Sequence, residues 1–321
     1  MVRYILSLAG GGIRGTITAS FLEQLEKFLI KYTQKSLYET FDVYTGSSTG
    51  ALIASSIAYK GMTAREISQK FYTHETAKEI MNQTWIDRLF GLVQTRPKYD
   101  GVGKRKLIKK VCGDIKCSET DKDVIIPIYD ITLEDPVIIK SWETEKFDDR
   151  YRLADILDAT SAAPGYFPSV EYIPGKWAID GSIISHNPSL MGYINTKMLY
   201  PDEKVVVVSI GTGQGYPKKI GNSSMMWGAI EWVTEGKLFD IFLNAPMEAE
   251  VSMTNSLCKT NGDQFIYIDG MLKHTSMDDI SEENLERLRK IGRDLWYQNK
   301  HHFEKIFLPS GVEIEHESIF L

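Results

Sequence analysis

The chain has 321 residues, 43% of them apolar and 25% charged, with a net charge of −6, which is enough apolar material for a core in one large domain or two ordinary ones. No strongly basic balance offers counter-charge to a phosphate backbone, so a nucleic-acid partner is not expected. A sequence pI of about 5.6 says little against lipid, because membrane contact depends on local patches.

The first element is Tyr4–Ala9, a short apolar strand running into the glycine turn Gly10–Gly15. Ile13, Ile17, Phe21, Leu22, Leu25, Phe28 and Leu29 then recur at three-to-four spacing, the stripe of a helix packed on a core. Phe41–Thr45 reads as a second strand; Gly46–Gly50 turns into a helix over Ala51–Lys60, with Gly61 placed as its C-cap. Val124–Asp130, Val137–Trp142, Trp177–Ile179 and Val205–Ile210 are strand-like, and the unbroken Val205–Val208 predicts a strand buried on both faces of a mainly parallel sheet. From Met277 the chain reads as helical, with Leu285, Leu288, Ile291 and Leu295 on one face. Strands alternating with helices predict an α/β fold with a central, mainly parallel sheet flanked by helices. No linker divides the chain, so it is read as one domain, with residues 216–321 as a helical extension packed on the rest.

Gly10-x-Gly12-x-x-Gly15, after a strand and opening a helix, has three readings. A dinucleotide fingerprint also wants an acid at the end of the second strand, but the only acid there, Asp42, sits near the strand's start. An oxyanion hole would use glycine N–H groups and the positive end of the helix. A plain tight turn is the third reading, and the motif alone does not separate them.

Gly46-Ser47-Ser48-Thr49-Gly50 is more telling, a G-x-S-x-G between a short strand and a helix, which is the setting of a nucleophile elbow. Gly46 and Gly50 keep the turn's flanks small, and Ser48 at the apex would present its hydroxyl at a helix N-terminus. The competing reading makes Ser47 or Ser48 an ordinary N-cap. A serine hydroxyl needs a proton acceptor. His74, His274, His301, His302 and His316 sit in polar, exposed settings without a motif, while His186 follows Asp180-Gly181-Ser182 closely. Asp180 ends the strand at Ile179; in isolation, Asp180-Gly181 reads as a hairpin turn.

Gly10-Gly11-Gly12-Ile13-Arg14-Gly15, the Ser48 elbow and Asp180-Gly181 occur in the order and approximate spacing of the patatin-like phospholipases, which this chain resembles. Lys98–Gly101, the small-residue run Ala159–Pro168, Asn187-Pro188 and Ser209–Gly213 extend the likeness over roughly residues 3–215. Met277–Leu288 is similar to the C-terminal helix of bacterial-type members. The resemblance implies a three-layer patatin-like fold and a dyad without histidine. Ser48 attacks an ester carbonyl, Asp180 takes the proton, N–H groups around Gly11 and Gly12 hold the oxyanion, and Arg14 braces that loop through backbone carbonyls. Two positions depart from the family's pattern: Ser182, where Gly or Ala is usual, and His186, where Asn or Ala is usual.

The resemblance further implies a phospholipid or lysophospholipid substrate. No cofactor is expected, and no metal, since Asp148-Asp149 and Asp278-Asp279 lack a calcium loop's alternation. Cys112, Cys117 and Cys258 form neither a disulfide framework nor a zinc pair, and no apolar run is long enough for a signal peptide or a membrane span. A soluble, cytoplasmic protein able to rest on a membrane is therefore expected. Trp85–Leu92 and Met225–Val233 are read first as core packing and second as a lid or membrane anchor. Lys104, Arg105, Lys106, Lys109 and Lys110 are read as a solvated basic helix face, with anionic headgroups as the sharper alternative. Acyl transfer through the same acyl-enzyme, a nucleotide-binding module and a non-catalytic relative remain the alternatives.

Overall fold

A computed structural model of the chain describes residues 1–82, 96–216, 220–234 and 238–308. The chain opens with β1 (Val2–Leu8), α1 (Gly15–Thr33), α2 (Leu37–Thr40), β2 (Val43–Gly46) and α3 (Thr49–Lys60). Helices α4 (Ala64–Phe71), α5 (His74–Ile80) and α6 (Val102–Cys112) follow, then the β3–β4 hairpin (Asp123–Asp130, Asp135–Lys140) and α7 (Leu153–Thr160). Next come β5 (Val170–Ile173), β6 (Lys176–Asp180), α8 (Ser189–Leu199) and β7 (Lys204–Ile210). The described chain ends with β8 (Gln214–Gly215), α9 (Ala229–Thr234), α10 (Leu238–Asn261), β9 (Gln264–Ile268), β10 (Met271–Leu272) and α11 (Glu282–Phe307).

One sheet runs in the order β5-β6-β3-β2-β1-β7-β9, with β4 also on β3. Its middle is parallel, β3 through β9, and one edge is antiparallel, where β3 meets β4 and β6 and β6 meets β5. β1 lies at the centre because both its faces are apolar: Leu6 and Leu8 join the core beneath α1, α3 and α11, and Ile5 joins the core shared with Val205, Val207 and Tyr193 of α8. The Val205–Val208 run is buried on both faces as its composition predicts. Gly61 takes the left-handed C-cap position of α3, and its N–H donates to the last-turn carbonyls of Ile57 and Ser56.

Three readings of the C-terminal third change. The segment after 215 is not purely helical: Gln264–Ile268 pairs in parallel with β7 and completes the sheet edge, since its β-prone Phe-Ile-Tyr-Ile run alternates burial. The last helix begins at Glu282, where Ser281 accepts from the Asn284 N–H, and not at Met277, whose carbonyl is taken by the Ile13 N–H. Met225–Val233 is not core: Met226 is 93% exposed, Met225 80%, Ile230 76% and Val233 64%. Trp85–Leu92 lies outside the described residues.

Helix α11 packs along α1 at a glycine, Gly292, where a Cβ would lie 2.4 Å from the Ile17 carbonyl and 2.8 Å from the Ser20 Cβ. Gly292→Ala must therefore separate the helices, at about 2 kcal/mol by the usual cost of overpacking. The melting temperature is expected to fall by roughly 3 °C, read by calorimetry. An unchanged value would mean that this helix pair is not in tight contact.

Candidate active site

Sharp turns at the carboxyl ends of β1 and β2 build the site. A Cβ on Gly50 would sit 2.1 Å from the Leu8 carbonyl oxygen, and one on Gly46 2.5 Å from Gly50 C, so α3 starts in backbone contact with β1 only because these positions are glycine. Between them Ser48 is held at φ 51°, ψ −126°, a conformation that costs a non-glycine residue of order 1–3 kcal/mol. Its N–H donates to Thr160 Oγ1 at 3.3 Å, and Thr160 Oγ1 donates in turn to the Pro127 carbonyl at 2.7 Å. Ser48 occupies the N-cap position of α3, yet its hydroxyl caps no backbone N–H. The ordinary N-cap reading therefore leaves that hydroxyl unexplained.

Sheet register brings Asp180 alongside. Thr45 of β2 pairs with Ile125 of β3, and three residues on, Ile128 pairs with Asp180 of the antiparallel β6; three residues past Thr45 is Ser48. Ser48 and Asp180 line the same pocket, and the Ser48 side chain is among the groups that favour the charged form of Asp180. Asp180 is not a hairpin corner: its Oδ1 accepts the Ser182 N–H at 2.8 Å and caps a short turn over Gly181–Ile183. Gly181 is needed there because a Cβ would fall 1.9 Å from the Pro127 carbonyl. Burial raises the Asp180 pKa above the ordinary carboxylate value, opposed by the Ser182 N–H, the Ser48 and Ser182 hydroxyls and the charge of Lys104.

The first glycine turn closes the third side. Gly10 is seated by its N–H to the His186 carbonyl at 3.0 Å, Ile13 by the Met277 carbonyl at 2.9 Å and Arg14 by the Gly11 carbonyl at 3.2 Å, while the Gly15 N–H goes back to Gly12 and Ile13. Among the described residues the N–H groups of Gly11 and Gly12 have no protein acceptor. Gly11 reaches φ 153°, and its Cβ would lie 2.2 Å from Thr212 Oγ1. The buried Arg14 guanidinium donates to the Gly11 and Gly213 carbonyls at 3.4 and 2.8 Å. Asp42, the acid a nucleotide reading would need, accepts the Tyr4 N–H at 2.9 Å, at the start of β1 rather than at its glycine end.

Ser48, Thr49, Gly11, Gly12, Asp180, Ser182 and His186 line one pocket together with apolar groups that include Leu52, Phe71, Met81, Phe167 and Leu243. Thr49 Oγ1 bonds the Tyr72 hydroxyl at 2.5 Å, fixing the first turn of α3. Ser47 Oγ donates to the His186 carbonyl at 3.0 Å, and Ser182 Oγ to Ser47 Oγ at 3.5 Å. The Ser182 hydroxyl thus ties the Asp180 turn to the elbow. Among the described residues no three His, Cys, Asp or Glu side chains converge as metal ligands.

Two members of this site escape a reading of the sequence. Thr160 lies in a small-residue run with nothing to mark its hydroxyl. Lys104 is not on a solvated face: it is 4% exposed, its Nζ donates to the Asp158 carbonyl at 2.7 Å and to Ser161 Oγ at 3.1 Å, and it lines the pocket. The helical period places Lys104 one turn from Ile108, a buried core residue, and that spacing is the only signal that could have found it.

His186 is buried with Nδ1 unpartnered among the described residues, and burial, with the Arg14 charge, pulls its pKa down to about 3. The imidazole is therefore neutral at physiological pH. Because the unfolded chain holds this proton up to the ordinary histidine value, His186 favours the fold above about pH 6.5 and takes that stability away as pH falls toward 3. NMR titration is expected to show one histidine silent from pH 8 to 4. Its assignment by His186→Gln would fail if the missing signal titrated near 6.5.

The sequence is similar to those of known proteins. The Patatin family profile, described as patatin-like phospholipase, matches residues 6–191, more than half of the chain. Patatin-like protein 2 of Arabidopsis thaliana is 30% identical, over 91% of this chain and 82% of its own length. Patatin-like protein 2 of Oryza sativa subsp. indica is 28% identical over 92% and 84%, and Patatin group D-2 of Solanum tuberosum 29% over 91% and 83%. Among solved structures, VipD from Legionella pneumophila aligns with a TM-score of 0.47 at 15% identity, over 92% of this chain and 66% of that one, too loose a likeness to add to the sequence match. The chain belongs to the patatin-like phospholipase family.

Proposed function

We propose that this chain is a lipid acyl hydrolase in which Ser48 is the nucleophile and Asp180 its base. Residues 3–215 carry the catalytic part, and the described residues of 216–321 belong to the same body, with β9 beside β7. The observation that carries the reading is Ser48: held in a strained elbow, its hydroxyl unused as a helix cap, and lining one pocket with the buried Asp180, 132 residues on in the chain. Ser48 Oγ attacks the ester carbonyl carbon as its proton passes to Asp180. The negative charge that develops on the carbonyl oxygen is met by the Gly11 and Gly12 N–H groups, the two in that loop without a protein acceptor among the described residues. The tetrahedral intermediate collapses, the alcohol leaves with the proton from Asp180, and an acyl-Ser48 ester remains. Water then attacks that ester, again giving its proton to Asp180, and the fatty acid departs as Ser48 recovers its hydrogen.

A carboxylate is a weak base for an alcohol, so positioning and the oxyanion donors carry most of the barrier reduction; losing one such donor costs about 3 kcal/mol. The apolar walls suit an acyl chain, and a phospholipid or lysophospholipid is the substrate class we assign. Acyl transfer to an alcohol acceptor uses the same intermediate, and product analysis separates the two. Asp180 must be ionised to act, and its raised pKa means that activity falls with decreasing pH at a higher pH than an ordinary carboxylate would give. Ser48→Ala is expected to abolish labelling by a fluorophosphonate probe. Asp180→Asn should cost on the order of 10³-fold or more in turnover, and His186→Ala less than about tenfold. The opposite ranking of the last two would replace the dyad with a histidine base.

Membrane contact is part of the proposal. Among the described residues no helix is long and apolar enough to cross a membrane, but Met225, Met226, Ile230 and Val233 stand exposed on and beside α9, with Glu231 the only charge between them. A side chain of this size gains about 1.5–3 kcal/mol on leaving water. Met226→Asp with Ile230→Asp is expected to weaken flotation with phosphatidylcholine vesicles several-fold while hydrolysis of a soluble short-chain ester continues. Unchanged flotation would count against this surface.

A further inference from the structure

The pocket holds a charge that the proposed chemistry leaves without a task. Lys104 reaches it from α6, which Gly103 allows to lie against α5: a Cβ at Gly103 would be 1.9 Å from the Glu79 carbonyl. The ammonium is 3.0 Å from Asp158 Oδ1, donates to the Asp158 carbonyl and Ser161 Oγ, and lies 4.7 Å from the centre of the Phe167 ring. Asp158 is itself shared, since Arg105 Nε approaches its Oδ2 at 2.7 Å from the solvent side. Arg105 is half exposed to solvent, so Lys104 is the cation that lines the pocket itself. Burying an ammonium costs several kcal/mol even when it is paired, and a methionine would fill the same space without that cost. Capping the last carbonyls of α7 accounts for part of the contact, but not for an ammonium in the pocket that contains Ser48 and Asp180.

We propose that Lys104 is a positioning residue for the hydrolysis: clamped by Asp158 and Ser161, its ammonium supplies the fixed positive neighbour that the buried Asp180 carboxylate needs as the serine's base. This rests on the reading of Asp180 as that base. Lys104 exchanges no proton and forms no bond with substrate; it acts through the field inside an apolar wall, where charges are poorly screened. Its charge and that of Asp180 act on each other. The other groups around Asp180 do not replace it. Ser48 and Ser182 offer neutral hydroxyls, and His186 is neutral. On the glycine-loop side the Arg14 guanidinium is spent on the Gly11 and Gly213 carbonyls, with Asp240 and Asp269 acting on its charge. Tyr99 and Tyr166 are un-ionised phenols, their pKa values raised by burial. Lys104 is then the cation whose removal Asp180 would register most directly.

The test is the pH dependence of kcat/KM on a soluble p-nitrophenyl ester, with the full chain and the variants Lys104→Met, Lys104→Arg and Asp158→Asn, each checked for its melting temperature. Lys104→Met should move the acid limb to higher pH, the direction expected on losing an opposite charge. Activity at pH 5.5 would then fall at least several-fold more than activity at pH 8.5. Lys104→Arg, which keeps the charge, should leave the limb where it is. Asp158→Asn, which bares the ammonium, should move it down. A Lys104→Met enzyme slowed equally at every pH, with the limb unmoved, would reduce Lys104 to a structural staple and overturn the proposal. If that variant does not fold, Asp158→Asn decides, and an unmoved limb there overturns the proposal in the same way. Failure of the underlying dyad is distinguishable: Asp180→Asn would stay active, whatever Lys104 does.

Discussion

Leu8 of β1 and Gly50 of α3 are in backbone contact, and the site depends on that contact. With 2.1 Å between the Leu8 oxygen and the place a Cβ would occupy, no side chain fits at position 50, and the first turn of α3 is pressed onto the end of the neighbouring strand. The pressure bends the chain at Ser48 into a conformation that serine rarely adopts. It also stacks the two glycine turns, so that the N–H groups after β1 and the hydroxyl after β2 open on the same pocket. The strain is held by the surrounding sheet, where β1 pairs along its length with β7 and from Ile5 to Leu8 with β2, and by the Thr160 hydroxyl beneath the elbow.

Around that contact the site is dry and its charges are few. Asp180 and Lys104 are both nearly fully buried in a pocket whose remaining surface is mostly apolar. Burial pushes the carboxylate toward its neutral form and the ammonium toward its own, and each counters part of the penalty on the other. His186 has the Arg14 charge acting against its protonation as well as burial, and it stays neutral. Its structural contribution is made by its carbonyl, which seats Gly10 and Ser47, while its ring contributes pocket wall.

The C-terminal third is bound into the same body. β9 finishes the sheet beside β7, and Trp296 and Phe303 of α11 pack against Phe21 of α1. The Met277 carbonyl takes the Ile13 N–H at 2.9 Å, so the segment before α11 helps hold the glycine turn in place. A patch of uncovered apolar surface is gathered on the residues around α9.

Features encoded at short range were legible in the chain alone. Val205–Val208 could only be a strand covered on both faces, Gly61 could end α3 because it accepts a left-handed backbone, and Gly46 and Gly50 around Ser48 marked a turn too tight for side chains. The spacing of the two glycine motifs and Asp180-Gly181 pointed to the family. Features that depend on which surface meets which waited for the folded molecule. Lys104 looks like its exposed neighbours Arg105 and Lys106 until α6 is laid against α5 and α7, and Met225–Val233 looks like core until the described elements leave it uncovered. Gln264–Ile268 is too short to be told from helix by period alone, and it became a strand because β7 offered it an edge. Whether Asp180 was a hairpin corner or a neighbour of Ser48 rested on the β2–β3–β6 register, a long-range pairing that no local pattern specifies.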